Sequence, residues 1–150
     1  MTTTLDQSEF EGFFESHEPR LRRALVAAFG IDRGSDALSE ALGYAWEHRD
    51  RVCAMEHPVP YLFRVGQSKT RRRKTRVIYV VPDAAEPWIE PGLPRALAAL
   101  SERQRVVVVL VHGFGWQLQE VAELLDVRVT TVQNHLERGL AKLRHRLETP

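Results

Sequence analysis

The segment VIYVVPDAAEPWIEPGLP, residues 77–94, sets the strongest limit on the architecture of this chain. It contains four prolines and a glycine. Because proline lacks a backbone N–H and fixes φ, regular structure is excluded over most of this segment. The residues on both sides carry helical patterns instead. The sequence therefore predicts an all-α chain with two small helical domains, residues 1–76 and 94–150, joined by a linker at residues 77–93.

Apolar residues recur at helical spacing in the first predicted domain. We expect three helices there, over residues 9–29, 35–48 and 58 to about 76. Pro19 should bend or break the first helix, whereas Pro58 suits the first turn of the third. The polar stretch at residues 49–57 predicts a loop.

The second predicted domain contains four helical segments, over residues 94–100, 102–113, 117–125 and 130–147. Ser101 and Gln104 form a capping-box pattern before the second of them. Residues 106–109 are all valine and favour a strand by propensity alone. We nevertheless predict a helix there because the cap precedes it and His112-Gly113 closes it.

The last predicted helix has an apolar face and an opposite polar face. At 100° per residue, Val132 shares one face with Leu136, Leu140, Leu143 and Leu147. Opposite this face lie Thr130, Asn134, Arg138 and His145, and Gln133 and His135 flank that outer strip. Thr131 lies beside Thr130 at the helix start. Thr130 and Gln133 also match a capping box. A short helix, a tight turn at residues 126–129 and this helix predict a helix-turn-helix.

Such a helix presents its exposed start to base edges in the major groove. Asn and Gln can bond adenine, Arg can bond guanine, and Thr can bond phosphate beside the helix N-terminus. The alternative is an ordinary amphipathic helix with a solvated polar side.

Charge is distributed unevenly along the chain. The net charge of +1 does not suggest nucleic-acid binding, but residues 63–76 contain seven basic residues and no acidic one. A solvated helix end that balances the helix dipole needs fewer cations. Phosphate contact is the better explanation of this run, although it carries no sequence information.

Composition excludes several other classes. Hydrophobic residues make up 43% of the chain and charged residues 27%, which is typical of a globular protein. The single cysteine, Cys53, excludes an internal disulfide and a multi-cysteine metal site, and the six histidines lack ligand spacing. The N-terminus is no signal peptide, and no apolar run reaches membrane-spanning length. We expect a cytoplasmic protein without metal or cofactor.

The two halves together resemble a family, the extracytoplasmic-function (ECF) sigma factors of bacterial RNA polymerase. The segment from LPRALAALSERQRVVVVL to TTVQNHLERGLAKLR resembles the family's region 4. FEGFFESHEPRLRRAL, SDALSEALGYAWEHRD and PYLFRVGQSKTRRRKTR resemble region 2. The chain departs from the family at Ser39, Ser68 and Arg72, where Gln, Asn and Asp are usual, and in the helix start at residues 130–135.

The resemblance implies a division of roles. It implies that region 2, residues 9–76, binds the polymerase clamp, with Asp36 and Glu40 as contacts, and the downstream (−10) promoter element. Residues 49–57 lie where the family captures a flipped base. The residues assigned to this element and its phosphates are Arg49, Arg51, Met55, His57, Arg64, Lys69, Arg71, Arg72 and Arg73.

The resemblance further implies that region 4 reads the upstream (−35) element through Thr130, Thr131, Gln133, Asn134, His135 and Arg138. The implied partners are core RNA polymerase and promoter DNA. An anti-sigma factor is a partner that the resemblance leaves open, and a monomer is the default for the free chain.

Three other functions remain as alternatives. The first is a helix-turn-helix regulator that uses the same residues without engaging polymerase as a sigma subunit. The second is an enzyme built on His48 and Asp50 or on Cys53 and His57, but neither pair has a third orienting group. The third is an interaction module alone. We therefore expect no enzymatic activity.

Overall fold

The computed structural model describes residues 6–71 and 92–149, and over these two ranges it is helical apart from short connections. The first range contains α1 (Gln7–Phe29), α2 (Ile31–Glu47), α3 (Arg49–Cys53) and α4 (Pro58–Arg71). The second contains α5 (Leu93–Ala99), α6 (Glu102–Val108), α7 (Leu118–Leu125) and α8 (Val129–Glu148). The all-α prediction is confirmed. The predicted linker lies almost wholly outside the described residues, so the division into domains stays a prediction.

Helix α1 runs through Pro19 without interruption, so the helix is not broken at this residue, and the alternative of a bend stays a prediction. A proline leaves the carbonyl four residues earlier without its helical partner. That carbonyl belongs to Glu15, which is exposed, so water can replace the lost hydrogen bond. The helix instead ends at Gly30, whose φ of 83° favours glycine. Helix α2 starts immediately after this turn, four residues earlier than predicted.

The predicted loop at residues 49–57 contains the short helix α3, so this prediction is wrong over its first half. Val52, in the second half of α3, is fully buried in the core. Residues 49–51 are charged, so the segment around Val52 has a polar sequence. Burial of the Val52 side chain contributes about 1.5–3 kcal/mol and helps to hold this turn of helix against the neighbouring helices.

The valines at residues 106–108 are helical and buried, as the cap predicts. The Gln104 N–H donates to Ser101 Oγ at 3.2 Å, and the Ser101 N–H donates to Gln104 Oε1 at 3.2 Å. Tertiary packing outweighs the strand propensity of valine here. The helix then continues as a π-helical turn over Val109–Gly113.

Helix α8 begins at Val129, with Arg128 at the N-cap and no side-chain cap. The predicted capping box of Thr130 and Gln133 is therefore wrong, because both residues lie inside the helix. The preceding turn is closed by Asp126 in the left-handed region, at φ 55°, and by the Val127 N–H, which donates to the Ala122 carbonyl at 3.1 Å. Leu147, predicted on the apolar face, is 38% exposed.

The two described ranges pack against each other through one hydrophobic core. Leu21, Leu25 and Phe63 of the first range lie in the same cluster as Val106 and Leu110 of the second. Arg105 is 4% exposed, and its Nε and Nη2 donate to the Ala28 carbonyl at 3.0 and 2.6 Å. Its Nη1 donates to the Leu100 carbonyl at 2.9 Å. A buried arginine thus ties α6 to the end of α1.

Polar contacts flank this shared core. Arg20 Nη2 donates to Glu120 Oε2 at 2.7 Å, and the same guanidinium lies over the Trp116 ring at 4.1 Å. Gln67 Nε2 donates to Glu102 Oε2 at 3.0 Å. None of the helices in the described part of the chain has the length and apolar character that crossing a membrane requires.

Candidate nucleic-acid interface

Helices α7 and α8 form the predicted helix-turn-helix. The Gln117 N–H donates to Glu120 Oε1 at 3.3 Å and starts α7. Val121 of α7 and Val132 of α8 are both fully buried, so the two helices hold each other in place. On its other side α8 crosses α6 closely at Gly139, where an added Cβ would lie 2.8 Å from Val108 Cγ2. These contacts fix which face of α8 points outward.

The outward face of α8 carries the polar residues predicted for the upstream element. Thr130, Gln133, Asn134 and Arg138 are exposed, whereas Thr131 and His135 are half-buried. Because no side chain caps α8, its first backbone N–H groups remain available to an anion, and the helix dipole favours one there. The geometry fits base edges at Asn134 and Arg138 and phosphate at the helix start.

His135 lies on the flank of α8 that faces α6. Burial lowers the pKa of His135, and the nearby cations Arg103 and Arg138 lower it further. Both effects favour the neutral imidazole, in which one ring nitrogen donates and the other accepts a hydrogen bond. Arg103, on α6, was not among the predicted site residues. Only the crossing of α6 over α8 brings it close to them, and sequence spacing does not show that crossing.

A second cluster lies where α2, α3 and α4 meet. The guanidinium of Arg49 lies 4.3 Å from the centre of the Trp46 ring, and Arg49 Nη1 donates to the Trp46 carbonyl at 2.9 Å. Arg51 Nη2 donates to the hydroxyl oxygens of Tyr44 and Tyr61, and its distance to the Tyr61 oxygen is 3.0 Å. The hydroxyls of Tyr44 and Tyr61 are 2.7 Å apart.

The cluster therefore combines cations with aromatic rings, the combination that proteins use to hold unpaired bases. The aromatic members Tyr44, Trp46 and Tyr61 were not predicted as site residues. They lie on the helices that flank the predicted loop, and their aromatic character was the available signal.

The four residues predicted to line one base pocket do not share a cavity. Arg49 and Arg51 border a surface depression of about 330 Å³, together with His48. His57 borders a different cavity of about 220 Å³, between the two halves, with His17 and Trp116. Met55 is half-buried and borders neither of these two. The structure thus groups Arg49 with Arg51 and separates them from His57.

Two residues of the basic run at residues 63–76 form ion pairs with acidic residues of other elements. Arg64 Nη1 lies 3.9 Å from Asp126 Oδ2, and Lys69 Nζ lies 3.5 Å from Glu40 Oε2. Arg71 is the last described residue of α4, and Arg72 and Arg73 lie outside the described residues. On α2, Asp36 is exposed and Glu40 is half-buried beside Lys69.

Cys53 and His48 are two of the side chains considered for catalysis. Burial raises the pKa of the Cys53 thiol, and Asp50 raises it further, which disfavours the reactive thiolate. His48 Nδ1 lies 3.0 Å from the Tyr44 carbonyl, and its ring stacks on Tyr44 at 4.1 Å. Across residues 6–71 and 92–149, no group of three or more histidine, cysteine or acidic residues is placed to hold a metal ion.

Comparison with known proteins gives one family match and similarity to solved structures. Residues 92–143 match the family described as sigma-70, region 4. No curated protein matches the chain. Among solved structures, the sigma factor RpoE in complex with the anti-sigma factor NepR from Bartonella quintana is similar, with a TM-score of 0.70, 18% identity and coverage of 93% of this chain and 97% of that one.

CnrH in complex with the cytosolic domain of CnrY is also similar, with a TM-score of 0.64 and 24% identity. The match covers 95% of this chain and 90% of that chain. At these identities the two structures establish a shared fold along nearly the whole chain.

Proposed function

We propose that this chain is a sigma factor of the ECF type, which binds core RNA polymerase and directs promoter recognition and transcription initiation. Its match to sigma-70 region 4 and its fold support the proposal. The observation that carries the proposal is α8: a polar, exposed helix start follows a tight turn within the segment that matches sigma-70 region 4. Because such a subunit works with core RNA polymerase, the proposal places this chain in the cytoplasm. When it is not bound to polymerase, the chain is a monomer.

Region 4 supplies contacts to the upstream element. Asn134 and Arg138 lie in the middle of the outward face and are placed to bond base edges. Thr130 and Thr131 lie in the first turn, where hydroxyls and backbone N–H groups are suited to phosphate. Gln133 and His135 lie on opposite flanks, where they support base contact or adjacent phosphates.

The first range supplies contacts to the downstream element. Extruding a base costs a few kcal/mol of stacking energy, and aromatic stacking can recover about 1–3 kcal/mol per base. Arg49 with Trp46, and Arg51 with Tyr44 and Tyr61, provide the ring faces and cations for this recovery. Met55 and His57 are weaker candidates for contact with the extruded base because they do not border the depression next to Arg49 and Arg51. Arg64, Lys69 and residues 71–73 supply phosphate contacts.

Polymerase binding belongs to the exposed face of α2. Asp36 is exposed at the start of this face, and Glu40 lies one turn later beside Lys69. The structurally similar RpoE was solved with an anti-sigma factor, so an anti-sigma factor is a further candidate partner for this chain.

The competing function is a helix-turn-helix regulator without sigma activity, and Ser39 is the observation that favours it. Ser39 is exposed between Asp36 and Glu40, where the resembling family usually has Gln. The loss of one long amide side chain weakens the match at the surface assigned to polymerase.

Co-sedimentation with core polymerase, compared with gel shift on promoter duplex, tests the proposal. We expect tighter binding to core polymerase than to free duplex, because a net charge of +1 gives weak stand-alone affinity for DNA at physiological salt. Asp36→Asn should weaken core binding, whereas Glu11→Gln, an exposed carboxylate on α1, should leave it unchanged. Tight duplex binding without polymerase association would favour the regulator.

A further inference from the structure

The cavity of about 220 Å³ between the two halves has walls from four separate elements. The first range supplies side chains of α1 and of residues 56–60, which lead into α4. The second range supplies Trp116 and part of α7. Pockets for drug-sized ligands measure roughly 300–1,000 Å³, so this cavity fits a smaller organic molecule. A molecule bound there touches both halves at once.

The buried part of the cavity lining is apolar. Trp116, Val59 and Leu124 are 7%, 5% and 2% exposed, and Pro58 is buried beside them. These side chains offer an apolar surface with one aromatic ring to the body of a ligand. Pro58 and Pro60 also leave the first turn of α4 with few N–H donors for an anion.

Negative charge exceeds positive charge among the described lining residues. Arg20 supplies one guanidinium, whereas carboxylates come from Glu56, Glu120 and Glu123. Arg20 Nη2 donates to Glu120 Oε2 at 2.7 Å, and its guanidinium lies 4.1 Å from the centre of the Trp116 ring. Glu56 and Glu123 are exposed at the cavity, and their charges exceed what Arg20 balances. The lining therefore favours a cation over an anion.

Two histidines complete the polar lining of the cavity. His17 is half-buried, and the centre of its ring lies 4.7 Å from that of Phe13. Burial lowers the pKa of His17, which favours a neutral imidazole that can accept a hydrogen bond from an ammonium group without repelling it. His57 is exposed, and its Nε2 lies 3.9 Å from Glu56 Oε1. Hydrogen-bond acceptors and carboxylates thus surround an apolar floor.

We propose that this cavity binds a small organic ammonium cation with an apolar body, and that the bound cation stabilises the packed arrangement of the two halves. The apolar body lies against Trp116 and Leu124, and the ammonium group contacts Glu56 and Glu123. Because these contacts come from both halves, their separation breaks them, and the cation binds the packed state more tightly. The proposed function requires separated halves to reach two promoter elements. The cation therefore opposes polymerase binding, a consequence that rests on the proposed function.

The site is tested by titrating the full chain with phenethylammonium, followed by nuclear magnetic resonance. Phenethyl alcohol and phenylacetate are the matched ligands, because each joins a similar aromatic body to a neutral or a negative group. We expect phenethylammonium to cause its largest shifts at Trp116 and Leu124. The two matched ligands should bind more weakly by about tenfold, since neither offers a positive charge to the two carboxylates.

Single substitutions identify the carboxylates that hold the cation. Glu56→Gln and Glu123→Gln should each weaken phenethylammonium binding by about three- to fivefold, as expected for a partly exposed ion pair. Glu11→Gln, at an exposed carboxylate elsewhere on α1, should leave this binding unchanged. Equal binding of the three compounds, or equal binding of phenethylammonium by the parent and both cavity variants, overturns the cation site.

The effect on the packed arrangement is tested with core polymerase. Saturating phenethylammonium should lower the affinity of the parent for core enzyme, and the double variant Glu56→Gln/Glu123→Gln should lose most of this effect. Binding of the cation without any change in core affinity overturns the proposed stabilisation. Failure of the parent to bind core enzyme without the cation counts instead against the proposed function, so the two failures are distinguishable.

Discussion

At the scale of single residues, the position of the α8 start changes the roles assigned to its side chains. With Arg128 at the N-cap, Thr130 is the second residue of the helix and caps nothing. Thr130 is exposed, so its hydroxyl is free to bond phosphate rather than the backbone. Asn134 lies one turn further along the same face and has two donors and one acceptor group for a base edge.

Replacing Asn134 by alanine should cost about 1–3 kcal/mol of discrimination at one base pair of the upstream element. Thr130→Ala should weaken binding to all upstream sequences alike and change stability by less than about 0.5 kcal/mol, because no cap is lost. Selection from a randomised upstream element measures both effects. His145→Ala, an exposed change about three turns further along α8, is the control. If Asn134→Ala keeps the parent's preference at every position, the outward face has been assigned wrongly.

His135 should make stability depend on pH. Its pKa is lowered in the folded chain, by burial first and then by Arg103 and Arg138. The unfolded chain therefore binds more protons between the folded pKa and the ordinary value of about 6.5, and stability falls as pH falls through this window. His135→Gln should reduce the loss of stability between pH 8 and pH 5.5 in chemical denaturation. His57→Gln, at an exposed histidine, is the matched control, and equal losses in both variants would contradict the assignment.

At the scale of elements, periodicity predicted the faces of the helices, and local turn geometry determined where they begin. The apolar face of α8 is correct at Val132 and Leu143, because a period of 3.6 residues follows from helix geometry alone. The cap at Thr130 was wrong because Asp126 adopts the left-handed region, which lets the chain reverse earlier. The helix α3 was missed because one buried valine among charged residues leaves no periodic signal.

The crossing of α6 and α8 depends on the absence of a side chain at Gly139. An alanine there would place Cβ 2.8 Å from Val108 Cγ2. Gly139→Ala should therefore destabilise the chain by about 1–3 kcal/mol, even though alanine is the better helix former. Gly12→Ala on α1, where nothing lies within 4 Å of the added Cβ, should be neutral or stabilising by up to about 1 kcal/mol. Urea denaturation compares the two, and a neutral Gly139→Ala would show that the helices can separate without cost.

At the scale of the whole molecule, the packing of the two halves is what the sequence could not predict. Arg105 and Ala28 are 77 positions apart, and nothing in their local sequence links them. The same holds for Arg20 and Glu120, which join α1 to α7. The same limit applies to the candidate site. The outward residues of α8 could be predicted from the sequence of one helix, whereas Arg103 and the aromatic cluster could be identified only from the packing of separate helices.

The packed arrangement leaves Asp36 and the outward face of α8 exposed, so it does not cover the proposed binding surfaces. The packed arrangement instead limits the distance between these surfaces, and the proposed function requires the chain to reach two promoter elements at once. We expect the halves to move apart when core polymerase binds. Energy transfer between dyes at Ser8 and Thr149, both exposed, in a Cys53→Ser background should fall on adding core enzyme and stay unchanged with albumin. Constant transfer on saturation with core enzyme would contradict this expectation.

Run-off transcription with purified core polymerase and fragmented genomic DNA, followed by mapping of start sites, tests the central claim most directly. We predict discrete start sites that core enzyme alone does not produce, preceded by a shared pair of upstream and downstream elements. The same reaction with Asn134→Ala should keep the downstream element and relax one position of the upstream element. Start sites identical to those of core enzyme alone, from a chain that binds promoter duplex, would contradict a sigma factor and leave a DNA-binding regulator.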